Sequence, residues 1–291
     1  MKQELSILIP TFNDSCITLV KDLCRQAEQE NGLSNYEIVV ADDASTATSA
    51  IDENQTIRSL PHCRLLTQPY NRGRAAIRNI LAEHAQYRWL LFIDADSAVI
   101  SDHFLRRYLE SEAEVACGGY RVAKGAAGNL RYMYEQKNAR QQSLDERKRH
   151  PSKNFKSSNF LISKQLFKEF PFDTRFKHYG YEDVLFGKRL SENGIRIEHI
   201  NAPVGFHFFE PNDRFVQKTE ESLRTLHTFR SDLKGYSRLA DTADRLKQFR
   251  IDKLVSNLLH PFMPKLRRQL CGPAPSLLVF KLYKLGYYLS L

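Results

Sequence analysis

The chain has 291 residues, 42% hydrophobic and 26% charged, with a formal net charge of +9. This length buries a sizeable core, as one large domain or one domain with an appendage, and the composition is that of an ordinary globular protein. The five cysteines, Cys16, Cys24, Cys63, Cys117 and Cys271, are scattered and contain no Cys-x-x-Cys pair, which argues against a disulfide framework or a zinc site and fits a reducing compartment.

The charge is unevenly placed. Residues 1–210 hold 28 Lys and Arg against 27 Asp and Glu, whereas residues 211–291 hold 15 against 7, with no acid after Asp252. A balanced body, 1–210, is therefore expected to precede a basic, helical extension, 211–291, suited to an anionic lipid surface or to nucleic acid. The N-terminus enters a strand without the apolar region of a signal peptide, and no apolar run reaches the roughly 18 residues that span a bilayer. A cytoplasmic protein is expected, attached at most peripherally to the inner face of a membrane.

In chain order, Leu5–Pro10 reads as a buried strand stopped by Pro10. Thr11-Phe12-Asn13-Asp14 follows as a turn, and about 15–30 as a helix with Leu19, Leu23 and Ala27 on one stripe. Tyr36–Ala41 is a strand ending in Asp42-Asp43-Ala44-Ser45. Cys63–Thr67 is a third, leading to Asn71-Arg72-Gly73-Arg74 and a helix over 73–85. Trp89–Ile93 is a short, wholly apolar run, the mark of a strand buried on both faces, and it meets Asp94 and Asp96. Strands alternating with helices through short links predict a mostly parallel, helix-covered sheet. Ligands bind such sheets at the carboxyl ends of the strands, where all four polar clusters fall.

On period-two alternation, Asp94 and Asp96 point to one face, and two such acids suit a cation, Mg²⁺ or Mn²⁺, carrying a phosphate. The alternative is a corner in which Asp96 or Ser97 caps the next helix. Further on, 114–120 reads as a strand and 126–149 as one long helix with a basic end, Arg147-Lys148-Arg149. Tyr181–Asn193 has helical spacing, with Glu182 and Asp183 in its first turn, where carboxylates are favoured electrostatically. Residues 195–200 and 204–209 are short strands. His207 lies in the second, and a lone His in an apolar run is commonly a hydrogen-bonded core residue. In the tail, 214–252 reads as helical. Ser276–Leu291 has Lys281 and Lys284 on one face amid Leu, Phe and Tyr, the composition of a helix lying in the headgroup plane, or else of one docked on the body or in a dimer.

Five stretches in this order, SILIPTFND (6–14), VVADDAS (39–45), NRGRAAIRN (71–79), FIDADS (92–97) and GYEDVLFGKRL (180–190), resemble the family 2 glycosyltransferases of GT-A fold, over about residues 3–210. The resemblance implies an α/β GT-A fold with a Rossmann-like nucleotide-binding half. It also implies an inverting transfer of sugar from a nucleotide-diphosphate sugar, UDP favoured, to a glycan or lipid-linked acceptor hydroxyl in surface polysaccharide, lipopolysaccharide or capsule synthesis. It makes Asp183 the catalytic base and lets Glu182 orient the acceptor or the base. It puts the nucleotide at Pro10, Thr11, Phe12 and Asp43, with Asn71, Arg74 and Arg78 near it. It makes Asp96 the ligand of Mn²⁺ or Mg²⁺, with Asp94 on the ribose or donor sugar and His207 a further metal or diphosphate ligand. Ser158 and Asn159 are implied contacts of donor sugar or acceptor. Arg78 reads equally as solvated helix surface. The basic stretch 147–156 suggests an anionic acceptor, though a solvated loop explains it as well.

Two other readings are weaker. A sugar nucleotidyltransferase would need a Gly-rich, Lys- or Arg-bearing loop after the first strand, and Pro10-Thr11-Phe12-Asn13 is not one. A basic nucleic-acid-binding protein would not carry its excess charge in a Leu-rich, aromatic tail. Nucleic acid is therefore not expected as a partner. A peripheral contact with anionic membrane and an oligomer contact both suit the tail.

Overall fold

The computed structural model describes all residues, Met1–Leu291. In chain order the strands are β1 (Glu4–Thr11), β2 (Asn35–Asp42), β3 (Cys63–Thr67), β4 (Trp89–Ile93), β5 (Ser97–Val99), β6 (Val115–Cys117), β7 (Tyr120–Val122), β8 (Asn159–Ser163), β9 (Ile197–His199) and β10 (Val204–Phe206). The helices are α1 (Ile17–Gln29), α2 (Thr48–Gln55), α3 (Arg74–His84), α4 (Phe104–Glu110), α5 (Leu130–Asn138), α6 (Leu144–Arg149), α7 (Lys164–Glu169), α8 (Glu182–Glu192), α9 (Asn212–Thr228), α10 (Arg238–Gln248), α11 (Asp252–Leu259), α12 (Met263–Cys271) and α13 (Leu277–Leu289).

The chain forms two compact units. The first comprises residues 1–123, 140–177 and 182–207, the second 124–139, 178–181 and 208–291. In the first unit a seven-stranded sheet runs β3-β2-β1-β4-β8-β6-β9. The strands β3, β2, β1 and β4 are parallel, β8 is antiparallel to β4 and β6, and β9 is parallel to β6. This is the mixed, mostly parallel α/β sheet expected of a GT-A fold. The apolar runs place Ile7, Ile9, Ile38, Val40, Leu91 and Ile93 in one core with Leu19, Val20 and Leu23 of α1. The strand β1 runs through Pro10, which pairs in register with Ala41. Pairing with β4 covers only Ser6–Leu8, so the N–H that proline lacks is missing past the end of that ladder, where its loss costs nothing.

The sheet does not continue as one strand over 114–120. Gly118 and Gly119 break it, and β7 joins β10 and β5 in a separate three-stranded sheet. Nor is 126–149 one helix: α5 ends at Asn138, a 3-10 turn follows, and Ser143 caps α6 by accepting the N–H of Glu146. The second unit has its own core of Leu130, Phe215, Val216, Leu270, Phe280 and Tyr283. Helix α13, whose composition suggested the membrane interface, is central to that core and buries Phe280, Tyr283, Gly286 and Tyr288. Its Lys284 ammonium lies over the rings of Phe280 and Tyr134, 4.7 and 5.0 Å from their centroids. No helix is long and apolar enough to cross a membrane.

Candidate active site

The carboxyl ends of β1 and β2 are tied together by side chains. Asn13, at φ 61°, donates its backbone N–H to Ser45 Oγ (2.7 Å) and accepts the N–H groups of Thr46 (2.7 Å) and Ala47 (2.9 Å) on its Oδ1. Asp42 accepts the backbone N–H of Ser45 at 2.9 Å. Thr11 is buried and donates its hydroxyl to the carbonyl of Asp14 at 2.7 Å. Between these fixed loops Phe12 is 45% exposed, an aromatic face held in place and left uncovered.

Asp43, also buried, takes the N–H of Arg72 on one oxygen (2.7 Å) and that of Gly73 on the other (2.9 Å). Its carbonyl accepts the side-chain amide of Asn71 at 3.2 Å. Asp43 thus builds the turn that launches α3. Burial pushes its carboxyl pKa up, and the two backbone donors pull it back. Gly73 takes φ 83° in that turn, where a Cβ would lie 3.1 Å from the carbonyl of Lys177, so a side chain is disfavoured on both counts.

The first turns of α3 and α8 meet the end of β4 in a cluster of alternating charge. Arg74 donates Nε to Glu182 (3.0 Å) and Nη2 to Asp94 (3.0 Å). Arg78 donates Nη2 to the other oxygen of Asp94 (2.5 Å), and its Nη1 lies 3.8 Å from Glu182. Cations are disfavoured at a helix N-terminus, so the two carboxylates are what hold Arg74 there. Arg78 is not solvated helix surface: it is 1% exposed, and its guanidinium lies 5.5 Å from the Phe172 ring centroid. The helical spacing of Arg74 and Arg78 turns both toward β4, where one carboxylate serves both.

Asp94 and Asp96 are not alternating residues of a strand. The strand β4 ends at Ile93, and Ser97 donates its N–H to the carbonyl of Asp94 at 3.1 Å, closing a turn. Asp94 is held by arginines, and Asp96 immediately precedes β5. Phe206 of β10 pairs with Ser97 of β5 in antiparallel register. Asp96 and His207 are the residues that adjoin this last pair, one on each segment. No cluster of three or more His, Cys, Asp or Glu side chains is present. As donor types, one carboxylate and one imidazole, Asp96 and His207, suit Mg²⁺ or Mn²⁺ that takes its other ligands from phosphate and water.

Asp183 lies beside Glu182 at the start of α8, after Gly180 and Tyr181, which both take positive φ. Its Oδ2 is 3.8 Å from Lys156 Nζ, a neighbour that the sequence reading left within a basic loop. The backbone of Ser158 accepts the N–H of Asp94 (2.9 Å), and its buried hydroxyl has no hydrogen-bond partner. Asn159 is wholly buried in β8, where it donates its amide to the carbonyl of Ala202 at 2.9 Å. Arg147 is likewise no surface cation. It is buried, with Nη1 on the carbonyl of Cys117 (3.1 Å) and His199 Nδ1 (3.0 Å), and Nη2 on the carbonyl of Ile200 (3.1 Å).

A cleft of about 380 Å³ in the second unit is lined by Ser256, His260, Met263, Arg267 and Tyr283 among others and by no carboxylate. The carboxylates and arginines gather in the charge cluster at the strand ends, not at this cleft. The Glycosyl transferase family 2 profile matches residues 6–171. The chain is similar to the chondroitin synthase of Escherichia coli, 25% identical over an alignment of 240 residues, with 70% of this chain and 34% of that protein covered. It thus spans about a third of that relative's length. Among solved structures it resembles S. aureus TarS 1–349 in complex with UDP-GlcNAc (TM-score 0.53, 17% identity, 100% of this chain and 90% of that one). It also resembles the mannosyltransferase PcManGT from Pyrobaculum calidifontis in complex with GDP-Man and Mn²⁺ (TM-score 0.54, 14% identity, 100% and 86%). Those likenesses are of fold. The profile covers more than half of the chain and the strand ends described above: the chain belongs to glycosyl transferase family 2.

Proposed function

We propose that the protein is an inverting glycosyltransferase that moves a sugar from a nucleotide-diphosphate sugar, UDP favoured, to a hydroxyl of a glycan or lipid-linked acceptor in polysaccharide synthesis. The observation that carries this reading is the cluster of Arg74, Arg78, Asp94 and Glu182 at the carboxyl end of β4, with Asp183 beside it. The nucleotide base lies against Phe12 and meets the remaining lone pairs of Asp43. Arg74, which is 44% exposed on its side chain, has guanidinium surface left for the diphosphate. Asp94, oriented by two arginines, accepts from a ribose or sugar hydroxyl, and the unpartnered hydroxyl of Ser158 gains a partner from the donor. Asp96 and His207 would hold a divalent cation, which supplies charge neutralisation of the departing diphosphate.

Asp183 accepts the proton of the acceptor hydroxyl as its oxygen bonds to the anomeric carbon and the bond to the diphosphate breaks. One displacement inverts the configuration and needs no second nucleophilic carboxylate. Lys156, 3.8 Å away, orients Asp183, and Glu182, locked by Arg74, fixes the first turn of α8. The relatives' roles in chondroitin synthesis and in UDP-GlcNAc binding are consistent with such a donor and a polysaccharide product.

The test is a thermal-shift screen of nucleotide sugars with and without Mn²⁺, paired with transfer assays of Asp183→Asn. One donor should raise Tm selectively, because ligands that bind only the folded state stabilise it. Asp183→Asn should keep that shift and lose about 10²–10⁴-fold in kcat. Transfer at the wild-type rate by Asp183→Asn would remove Asp183 from the role of base.

A further inference from the structure

We propose that the outer face of α11, continued by the 3-10 turn His260–Phe262 and the start of α12, docks on the surface of an anionic lipid bilayer. Helix α11 buries none of its residues. Leu254, Leu258 and Phe262 follow one another at a spacing of four and are 69%, 67% and 53% exposed, and Phe249 and Ile251 just before them are exposed as well. Residues four apart share a helix face, so these side chains form one apolar stripe directed at water. A contiguous exposed stripe of this kind marks a contact surface.

The charge around the stripe selects the occupant. Arg250, Lys253, Lys265 and Arg268 are exposed on the same stretch. Asp252, at the N-terminus of α11, is its single acid, and no acid follows to the end of the chain. Two other tail cations are engaged within the protein: Arg267 pairs with Glu220 at 2.9 Å, and Lys284 lies over Phe280 and Tyr134. Large apolar side chains flanked by exposed cations, with Asp252 the one acid among them, match the acyl boundary and the anionic headgroups of a bilayer. Lys and Arg there lay their stems along the apolar stripe and keep their charge at headgroup level. The docking element is thus α11, not the more hydrophobic α13, whose apolar side chains are spent on the core of its own unit. This inference does not depend on the sugar-transfer reading.

The test is cosedimentation of the full chain with vesicles of phosphatidylcholine, with and without phosphatidylglycerol, at low and high salt. Binding is expected to the phosphatidylglycerol vesicles and to weaken as salt rises. Leu254→Ser/Leu258→Ser/Phe262→Ser should reduce the partition by about tenfold or more. Its far-UV spectrum and Tm should stay at wild-type values, since all three side chains already face water. Lys253→Gln/Lys265→Gln/Arg268→Gln should weaken binding and flatten its salt dependence. Absence of binding to phosphatidylglycerol vesicles, or equal binding by wild type and the triple serine variant, overturns the proposal. A dimer in solution that the serine substitutions dissociate, with vesicle binding unchanged, overturns it in favour of a second copy of this chain.

Discussion

At Arg147 a guanidinium is buried without a carboxylate, held by the carbonyls of Gln142, Cys117 and Ile200 and by His199. His199 closes the arrangement by donating from Nε2 to the carbonyl of Pro151 at 3.0 Å, so its Nδ1 is the acceptor that Arg147 meets. Burial first, and Arg147 second, lower the His199 pKa to about 4, against the Pro151 bond that raises it. The unfolded chain therefore takes up the proton more readily. The contribution of neutral His199 is complete above pH 6.5 and is lost as pH falls toward 4, by about 1.4 kcal/mol per unit and about 3 kcal/mol in all. Urea denaturation of wild type and His199→Gln between pH 7 and 4 should show a steeper loss of stability in the wild type. Parallel curves would refute the assignment. The basic run 147–149 looked like surface because sequence cannot show that the carbonyls at the ends of β6 and β9 need a donor. The same limit hid the burial of Arg78, whose two carboxylate neighbours lie 16 and 104 positions along the chain.

At the scale of elements, regular periodicity was readable and local breaks were not. The strands β1 to β4 and the helices α1, α3 and α8 follow their apolar patterns to within a few residues, because the strands lie in the core and each helix buries an apolar face. Helix α2 is short and polar, burying only Ala50 and Asn54, and has no pattern to read. The acids after β4 lie on a turn, since the Asp94 carbonyl is taken by Ser97 instead of a neighbouring strand. In α13 the apolar stripe is real, but its partner is protein. Burial lowers the Lys284 pKa to about 8, with Lys281 adding to the effect. A charged ammonium there opposes folding at neutral pH, and stability should rise as pH climbs from about 8 toward 10.5. Lys284→Met keeps the stem and removes the charge. It should stabilise the protein by about 1–2 kcal/mol at pH 7 and raise Tm by about 2–4 °C, and should abolish the alkaline gain. A lower Tm in calorimetry would show that the contacts over Phe280 and Tyr134 outweigh the burial cost.

At the scale of the molecule, a single cut near residue 210 does not separate the two units. Helix α5, from the middle of the chain, packs its Leu130 into the core that α9, α12 and α13 form. Asn212 accepts the backbone N–H of Leu130 on Oδ1 (2.7 Å) and donates its amide to the carbonyls of Gly128 and Gly272, both at 2.9 Å. A chain truncated to 1–210 should lose amide-exchange protection over 130–138, because α5 is too short to hold its helix without packing. Unchanged exchange there in the truncated chain would contradict this.

By itself the sequence determined the α/β class, the order of the first four strands and the family, through short motifs whose residue types are required wherever a strand hands the chain to a ligand-binding turn. It also contained the basic tail. Only the tertiary structure decided which of those residues meet. Asp94 and Glu182 are joined through Arg74 because α3 and α8 begin at the same sheet edge. Phe206 comes opposite Ser97, with His207 and Asp96 as the adjoining residues, because β10 pairs with β5. Asn159 and Arg147 are drawn inward because buried carbonyls there need donors. And α13 is buried in its own unit while α11 is left on the surface, although the composition of α13 was the one that suggested a membrane surface. Side-chain chemistry is local and legible in one dimension. Burial depends on what else packs against an element, and that is settled only when distant segments come together.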